Sequence, residues 1–131
     1  MQYEVAKRIV AEPGDMSLLA VSVQFYGQPR IVTRIPAGAF IPPPKVDSAV
    51  VRIDTYPVLP IDVADLTNFF RVVRAGFGQK RKQLKNSLAS GLGLPSSEVA
   101  IVMARAGVEP QRRAQTLSLA EWADLAREFG S

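Results

Sequence analysis

The chain has 131 residues, 47% hydrophobic and 21% charged, the balance of a globular protein of about one domain, or of one small domain with a piece of another. It contains no cysteine and no histidine, which excludes a disulfide framework, a zinc finger, a thiol nucleophile and an imidazole base, and no apolar run approaches the ~20 residues of a membrane span. The net charge of +4 is concentrated: residues 71–88 carry six basic side chains and no acid.

No basic segment leading into an apolar one opens the chain, so no secretory signal is expected. Over residues 2–12, Val5, Ala6, Ile9 and Val10 make a short apolar stripe that meets Pro13-Gly14, which predicts a short helix with a hard stop. Residues 17–26 read two ways. Val21, Val23 and Phe25 alternate with polar residues as in a strand, while Ser17 is placed to cap a buried helix. Residues 30–35 and 46–53 are rich in Val and Ile and bounded by proline, which suits two strands. The connector between them is too proline-rich for regular structure, because proline supplies no backbone N–H.

After the Pro57 and Pro60 pair the apolar period changes from 2 to 3.6. Asp62 is expected to cap a helix whose stripe is Val63, Leu66, Phe69, Phe70, Val73 and Phe77, loosened at Gly76 and Gly78. A basic helix is expected over 79–88, held by Leu84 and Leu88 and ended by Gly91-Leu92-Gly93. A third helix starts near Ser96 or Ser97, runs through Val99, Val102, Met103 and Ala106, and stops at Gly107. The last is the best specified, with Ser118 and Glu121 as a capping box and Leu117 and Trp122 as a hydrophobic staple; Ala123, Ala126 and Phe129 continue its apolar face, where Trp122 belongs to the core. The plan is an α/β piece over residues 1–55 and a small helical domain over 62–131, joined by a linker at 56–61.

Three features have the makings of a site. In Phe40-Ile41-Pro42-Pro43-Pro44-Lys45-Val46-Asp47-Ser48 the prolines make a stiff segment; Phe40 is either a platform for an unstacked base or a plug for the core beneath a crossover loop. Asp47 is read as capping or turning this loop. The basic run of Arg71, Arg74, Lys80, Arg81, Lys82 and Lys85 is either a solvated helix face or a phosphate-tracking surface. Six uncompensated cations repel one another unless a partner neutralises them, which favours contact with nucleic acid. Here Arg81 and Lys85 are expected as neighbours at i, i+4. Arg112 and Arg113 precede the capped helix and either grip phosphate or are merely solvated. The acids Glu4, Glu12, Asp15, Asp47 and Asp54 form no pair that suggests acid–base work or a metal site.

The segment 40–48 matches an F-x-P-x-P-x-V-x-S pattern, and with it the chain resembles the ribosomal RNA adenine N6-dimethyltransferases, the bacterial small-subunit group above all. The resemblance continues in Gln2-Tyr3-Glu4-Val5-Ala6-Lys7-Arg8, in Val23-Gln24-Phe25-Tyr26, through residues 70–86, and in Arg112-Arg113-Ala114-Gln115-Thr116-Leu117-Ser118. It implies an α+β chain: the C-terminal helices and an antiparallel strand pair (30–36 with 46–54) of a Rossmann-like methyltransferase domain, followed by a small all-helical domain. It implies that residues 17–26 are helical, that Phe40 stacks on the target adenine, and that the helical domain binds small-subunit rRNA. The family's cofactor is S-adenosylmethionine, held by a Gly-rich turn and an acidic residue, with an Asn-Leu-Pro-Tyr-type segment holding the adenine amine. None of these occurs in the 131 residues, so the chain is expected to bind RNA without cofactor and to be inactive alone; the resemblance further implies a cytoplasmic protein. It is also expected to self-associate through apolar side chains that lack their covering half, namely Val5, Ile9, Val21, Val23 and the strand pair. Two other readings stay open: a stand-alone, non-catalytic nucleic-acid-binding module, and a fragment of the related large-subunit resistance methyltransferases.

Overall fold

In the computed structural model, which describes residues 1–57, 65–79 and 81–130, the apolar stripe at the start of the chain forms helix α1, Tyr3–Ile9. It buries Ala6 and Ile9 and ends before Pro13-Gly14. The open carbonyls at its C-terminal end are met from the next element, where the Gln24 carboxamide donates to the carbonyls of Ile9 (2.9 Å) and Ala11 (2.8 Å). Gln24 closes α2, Leu18–Gln24, so the stretch with two possible readings is helical, with Ala20 and Val21 buried and Phe25 packed just beyond. Strands β1, Gly27–Ile35, and β2, Ser48–Thr55, pair antiparallel, with Ile31 opposite Val51 and a bulge before Thr33 opposite Val50. The first strand begins three residues earlier than its apolar run because Gly27 can approach β2 closely. A Cβ there would stand 2.9 Å from the Asp54 carbonyl oxygen. The chain start extends this pairing, since the Ala49 N–H donates to the Met1 carbonyl at 2.7 Å.

The chain divides into two compact units, the first of Met1–Ala11 and Leu19–Pro60, the second of Glu12–Leu18 and Ile61–Ser131. Within the first, Ile9 and Val21 are buried, which corrects their assignment to an exposed face. Among the described residues, the exposed large apolar side chains there are Val32, Val46, Val50 and Ile53 on and beside the strands, with Met1, Tyr26, Phe40 and Ile41.

The second unit is helical. Helix α3, Leu66–Phe77, is capped by Asp65, whose Oδ1 accepts the Asn68 N–H at 3.1 Å. Asp62 and Val63, the expected cap and first stripe residue, lie outside the described residues, as do linker positions 58–61. Leu66 is exposed, and the buried face is Phe69, Val72, Val73 and Gly76. Helix α4 is Leu84–Leu92 rather than 79–88. A helix started at Gln79 would crowd cations into its first turn, against the positive end of its own dipole; the observed start leaves only Lys85 there. Gly93 (φ 68°) supplies the left-handed stop. Helix α5, Ser96–Ala106, stops at Gly107 as expected. In α6, Leu119–Phe129, the capping box is formed: the Glu121 N–H donates to Ser118 Oγ (3.2 Å) and the Ser118 N–H to Glu121 Oε1 (3.0 Å). Leu117 and Trp122 are fully buried, and Trp122 packs 5.3 Å from Phe77.

Candidate functional site

Because α3 buries Phe69, Val72 and Val73, the intervening Arg71 and Arg74 are turned to solvent one helical turn apart. Arg71 is held in place by a neutral partner. Its guanidinium donates to Asn68 Oδ1 (2.9 Å), and Asn68 Nδ2 is anchored on the Ala126 carbonyl of α6 (2.7 Å). The arrangement orients the arginine without cancelling its charge. Arg71 and Arg74 line a cleft of about 420 Å³ with Ala75, Gly78, Gln79, Ser87, Ser90 and Gly91. Among the described residues, no carboxylate lines it.

A second cleft, of about 280 Å³, is lined by Gly14, Asp15, Met16, Arg81, Arg113 and Gln115. It exists because the N–H groups of Gly14 (2.8 Å) and Met16 (3.2 Å) both donate to the Gln115 carbonyl, pinning residues 14–16 to this unit. The structure thus unites Arg81 and Arg113, which no spacing connects. It separates Arg81 from Lys85: Arg81 precedes α4 and Lys85 lies in its first turn, so the expected helical pair does not form. Lys82 is exposed and Lys85 half-buried, while Lys80 lies outside the described residues.

Arg112 and Arg113 have different environments. Arg112 donates to both Glu121 carboxylate oxygens, and to the Thr116 carbonyl at 2.6 Å. The Arg112 guanidinium, with help from the Ser118 N–H and against some burial, holds the Glu121 carboxyl below the usual glutamate range. Arg113 is exposed, on the rim of the second cleft.

In the first unit, Phe40 follows a short 3₁₀ turn, Ala37–Ala39, and is 39% exposed; one residue further on, the Ile41–Pro42 peptide bond is cis. Asp47 braces this loop, as the sequence suggested. Its Oδ1 accepts the Ala37 N–H (3.0 Å) and its Oδ2 the Arg34 Nε–H (2.8 Å), and the Arg34 guanidinium lies 3.9 Å from the centre of the Tyr3 ring. The Ala37 N–H first, then Arg34, lower the Asp47 carboxyl below the usual aspartate range. Nothing in the sequence pointed to Arg34, Ser87, Ser90, Asp15 or Met16 as part of a site, because their placement comes from contacts between distant stretches.

The fold matches part of two solved methyltransferases. A dimethyladenosine transferase from Plasmodium falciparum matches 99% of this chain, over 56% of its own length, with a TM-score of 0.78 at 20% identity. The 23S rRNA methyltransferase ErmE matches with a TM-score of 0.64 at 23% identity, over 52% of its length. A family model described as ribosomal RNA adenine dimethylase matches residues 1–130, and the chain belongs to that family. Relatives called ribosomal RNA small subunit methyltransferase A are 50% identical in Dehalococcoides mccartyi, over 93% of this chain, and 50% identical in Pelotomaculum thermopropionicum, over 98%. The chain spans only 42% and 45% of their respective lengths.

Proposed function

We propose that these residues are the RNA-recognising part of a cytoplasmic, S-adenosylmethionine-dependent adenine N6,N6-dimethyltransferase of small-subunit rRNA. The observation that carries the reading is the pair of arginine-lined clefts in the helical unit: Arg71 with Arg74, where no acid among the described residues competes, and Arg81 with Arg113, two cations against the one carboxylate of Asp15. Among the described residues none of these four arginines is held in an ion pair, which leaves their charge available to a phosphate backbone. Lys82 and Lys85 extend the set, and Arg112, engaged by Glu121, supports the surface from within. Phe40, exposed on a braced loop, suits the face against which an extruded adenine stacks.

Among the described residues, the clefts around Arg71, Arg81 and Asp47 do not fit the cofactor. A sulfonium cation would meet two arginines in the first helical-unit cleft and two arginines against the single carboxylate of Asp15 in the second, and the cleft beside Asp47, which Glu4 also lines, is only about 210 Å³, with Asp47 already engaged by Arg34 and Ala37. Calorimetric titration of S-adenosylmethionine into the 131-residue chain should therefore give no heat, and micromolar binding would overturn that part of the reading.

The test of RNA recognition is salt dependence. Affinity for a small-subunit rRNA stem-loop should fall as salt rises, and replacing Arg74 and Arg81 together by Gln should lower the log–log slope by about 1.5. An unchanged slope and affinity would mean that these arginines point only to water.

A further inference from the structure

The lining of the larger cleft is more varied than phosphate binding requires. A phosphate accepts hydrogen bonds and offers none at neutral pH, so arginines alone would satisfy it. Here Arg71 and Arg74 stand beside Ser90 and Gln79, whose hydroxyl and carboxamide can each donate and accept. Ser87 also lines the cleft, but its hydroxyl already donates to the Gln79 carbonyl at 2.8 Å, which leaves Ser90 and the Gln79 side chain as the groups suited to a ligand of mixed character. The volume points the same way: about 420 Å³ leaves a bare phosphate largely surrounded by water. The floor is set where α4 touches α3. A Cβ on Gly91 would lie 2.6 Å from that of Ala75, so the two helices meet there without side chains filling the space.

We propose that this cleft seats one ribose–phosphate step of RNA, with Arg71 and Arg74 on the phosphate and Ser90 and Gln79 on the 2′-hydroxyl. That makes it a place where the protein tells ribose from other sugars. A 2′-hydroxyl is a donor and an acceptor at once, next to a phosphate, and is what distinguishes RNA from DNA at a given position. The inference rests on the RNA-binding reading above and adds which part of the RNA this cleft reads.

The experiment compares one stem-loop prepared as RNA, as 2′-O-methyl RNA and as DNA, bound to the 131-residue chain in competition. The 2′-O-methyl form keeps the A-type helix and removes the hydroxyl donor, so its ratio to RNA isolates the hydroxyl from helix shape. The wild-type chain should prefer RNA over the 2′-O-methyl form by about tenfold, the size expected for one or two net hydrogen bonds. Ser90→Ala and Gln79→Met should each reduce that ratio to about twofold, with circular dichroism confirming that the helices persist. Arg74→Gln should weaken all three ligands in similar proportion and keep the ratio. Equal binding of RNA and 2′-O-methyl RNA by the wild type, or an undiminished ratio in both the Ser90 and Gln79 variants, overturns the proposal. Salt-dependent binding that ignores the hydroxyl defeats this inference alone, whereas salt-independent or absent binding of every ligand defeats the RNA reading and this one with it.

Discussion

At the scale of single residues, Arg112 and Phe40 depend most on their surroundings. Arg112 shares its guanidinium between Glu121 and the Thr116 carbonyl, and the pair is shielded, with side chains 27% and 30% exposed. Glu121→Gln keeps an acceptor for the Ser118 N–H but removes the charge pair, so we expect a loss of about 1 kcal/mol of stability at neutral pH. The sign of its pH dependence follows from the lowered Glu121 carboxyl. The stabilisation is complete above the ordinary glutamate value and is lost as the pH falls through the lower, folded-state value. Urea titrations should therefore show the wild type and Glu121→Gln separated at pH 7 and converging in acid; a constant gap would assign the loss to packing. Phe40 gives the opposite expectation. Being 39% exposed, it should tolerate truncation, with Phe40→Ala within about 0.5 kcal/mol of wild type by thermal melting. In the intact methyltransferase the same change should lower turnover more than RNA affinity, because stacking matters only once the adenine has left its helix. A drop of several degrees with normal activity per folded molecule would support the core-plug reading.

At the scale of elements, the α3–α6 junction turns on a glycine. Alanine in place of Gly76 should favour α3 by up to about 1 kcal/mol on propensity. The new Cβ, however, would lie 2.5 Å from Trp122 Cη2 and 2.9 Å from Cζ3, and that ring is fully buried against Phe77. Overpacking of a constrained ring costs about 1–3 kcal/mol, so Gly76→Ala should be destabilising in chemical denaturation despite the better propensity. Stabilisation would show that Trp122 can shift. Helices α5 and α6 were legible in the sequence because their signals are local: Gly107 as a stop, Ser118 and Glu121 as a box. Helix α4 was misplaced because Leu84 and Leu88 fix its face but not its start, which charge near the first turn decides. Residues 17–26 carried two periods at once, and the structure places Gln24 across the end of α1, a contact that no local pattern encodes. The site was legible in part for a similar reason. The cations were visible as a run, but the placing of Arg71 and Arg81 in separate clefts depends on the Asn68 anchor and on the Gln115 carbonyl, each reached from a distant segment.

At the scale of the whole molecule, the two units differ in how well they cover their apolar surface. Among the described residues, the first unit buries only Ala6, Ile9, Ala20, Val21, Phe25 and Ala49 as apolar core, while Val32 and Val50 on its strands are 56% and 46% exposed. Its sheet has two strands, a size that is marginal in isolation and leaves backbone groups free to pair with another chain. Charge opposes association, since the molecule carries +4, but salt screens that repulsion within about 10 Å at 0.1 M. We therefore expect self-association that strengthens with salt, the reverse of RNA binding, which weakens with salt because phosphate contacts release counterions. Sedimentation equilibrium over a range of protein concentrations, at low and at high salt, should show dimers or larger species, more of them at high salt. Val50→Lys places a charge on an already exposed position beside Arg52, so it should shift the distribution toward monomer and leave the circular dichroism spectrum unchanged. A single monomeric species at every concentration and salt level would mean that the strand pair is adequately covered by its own chain, and the expectation of self-association would fall.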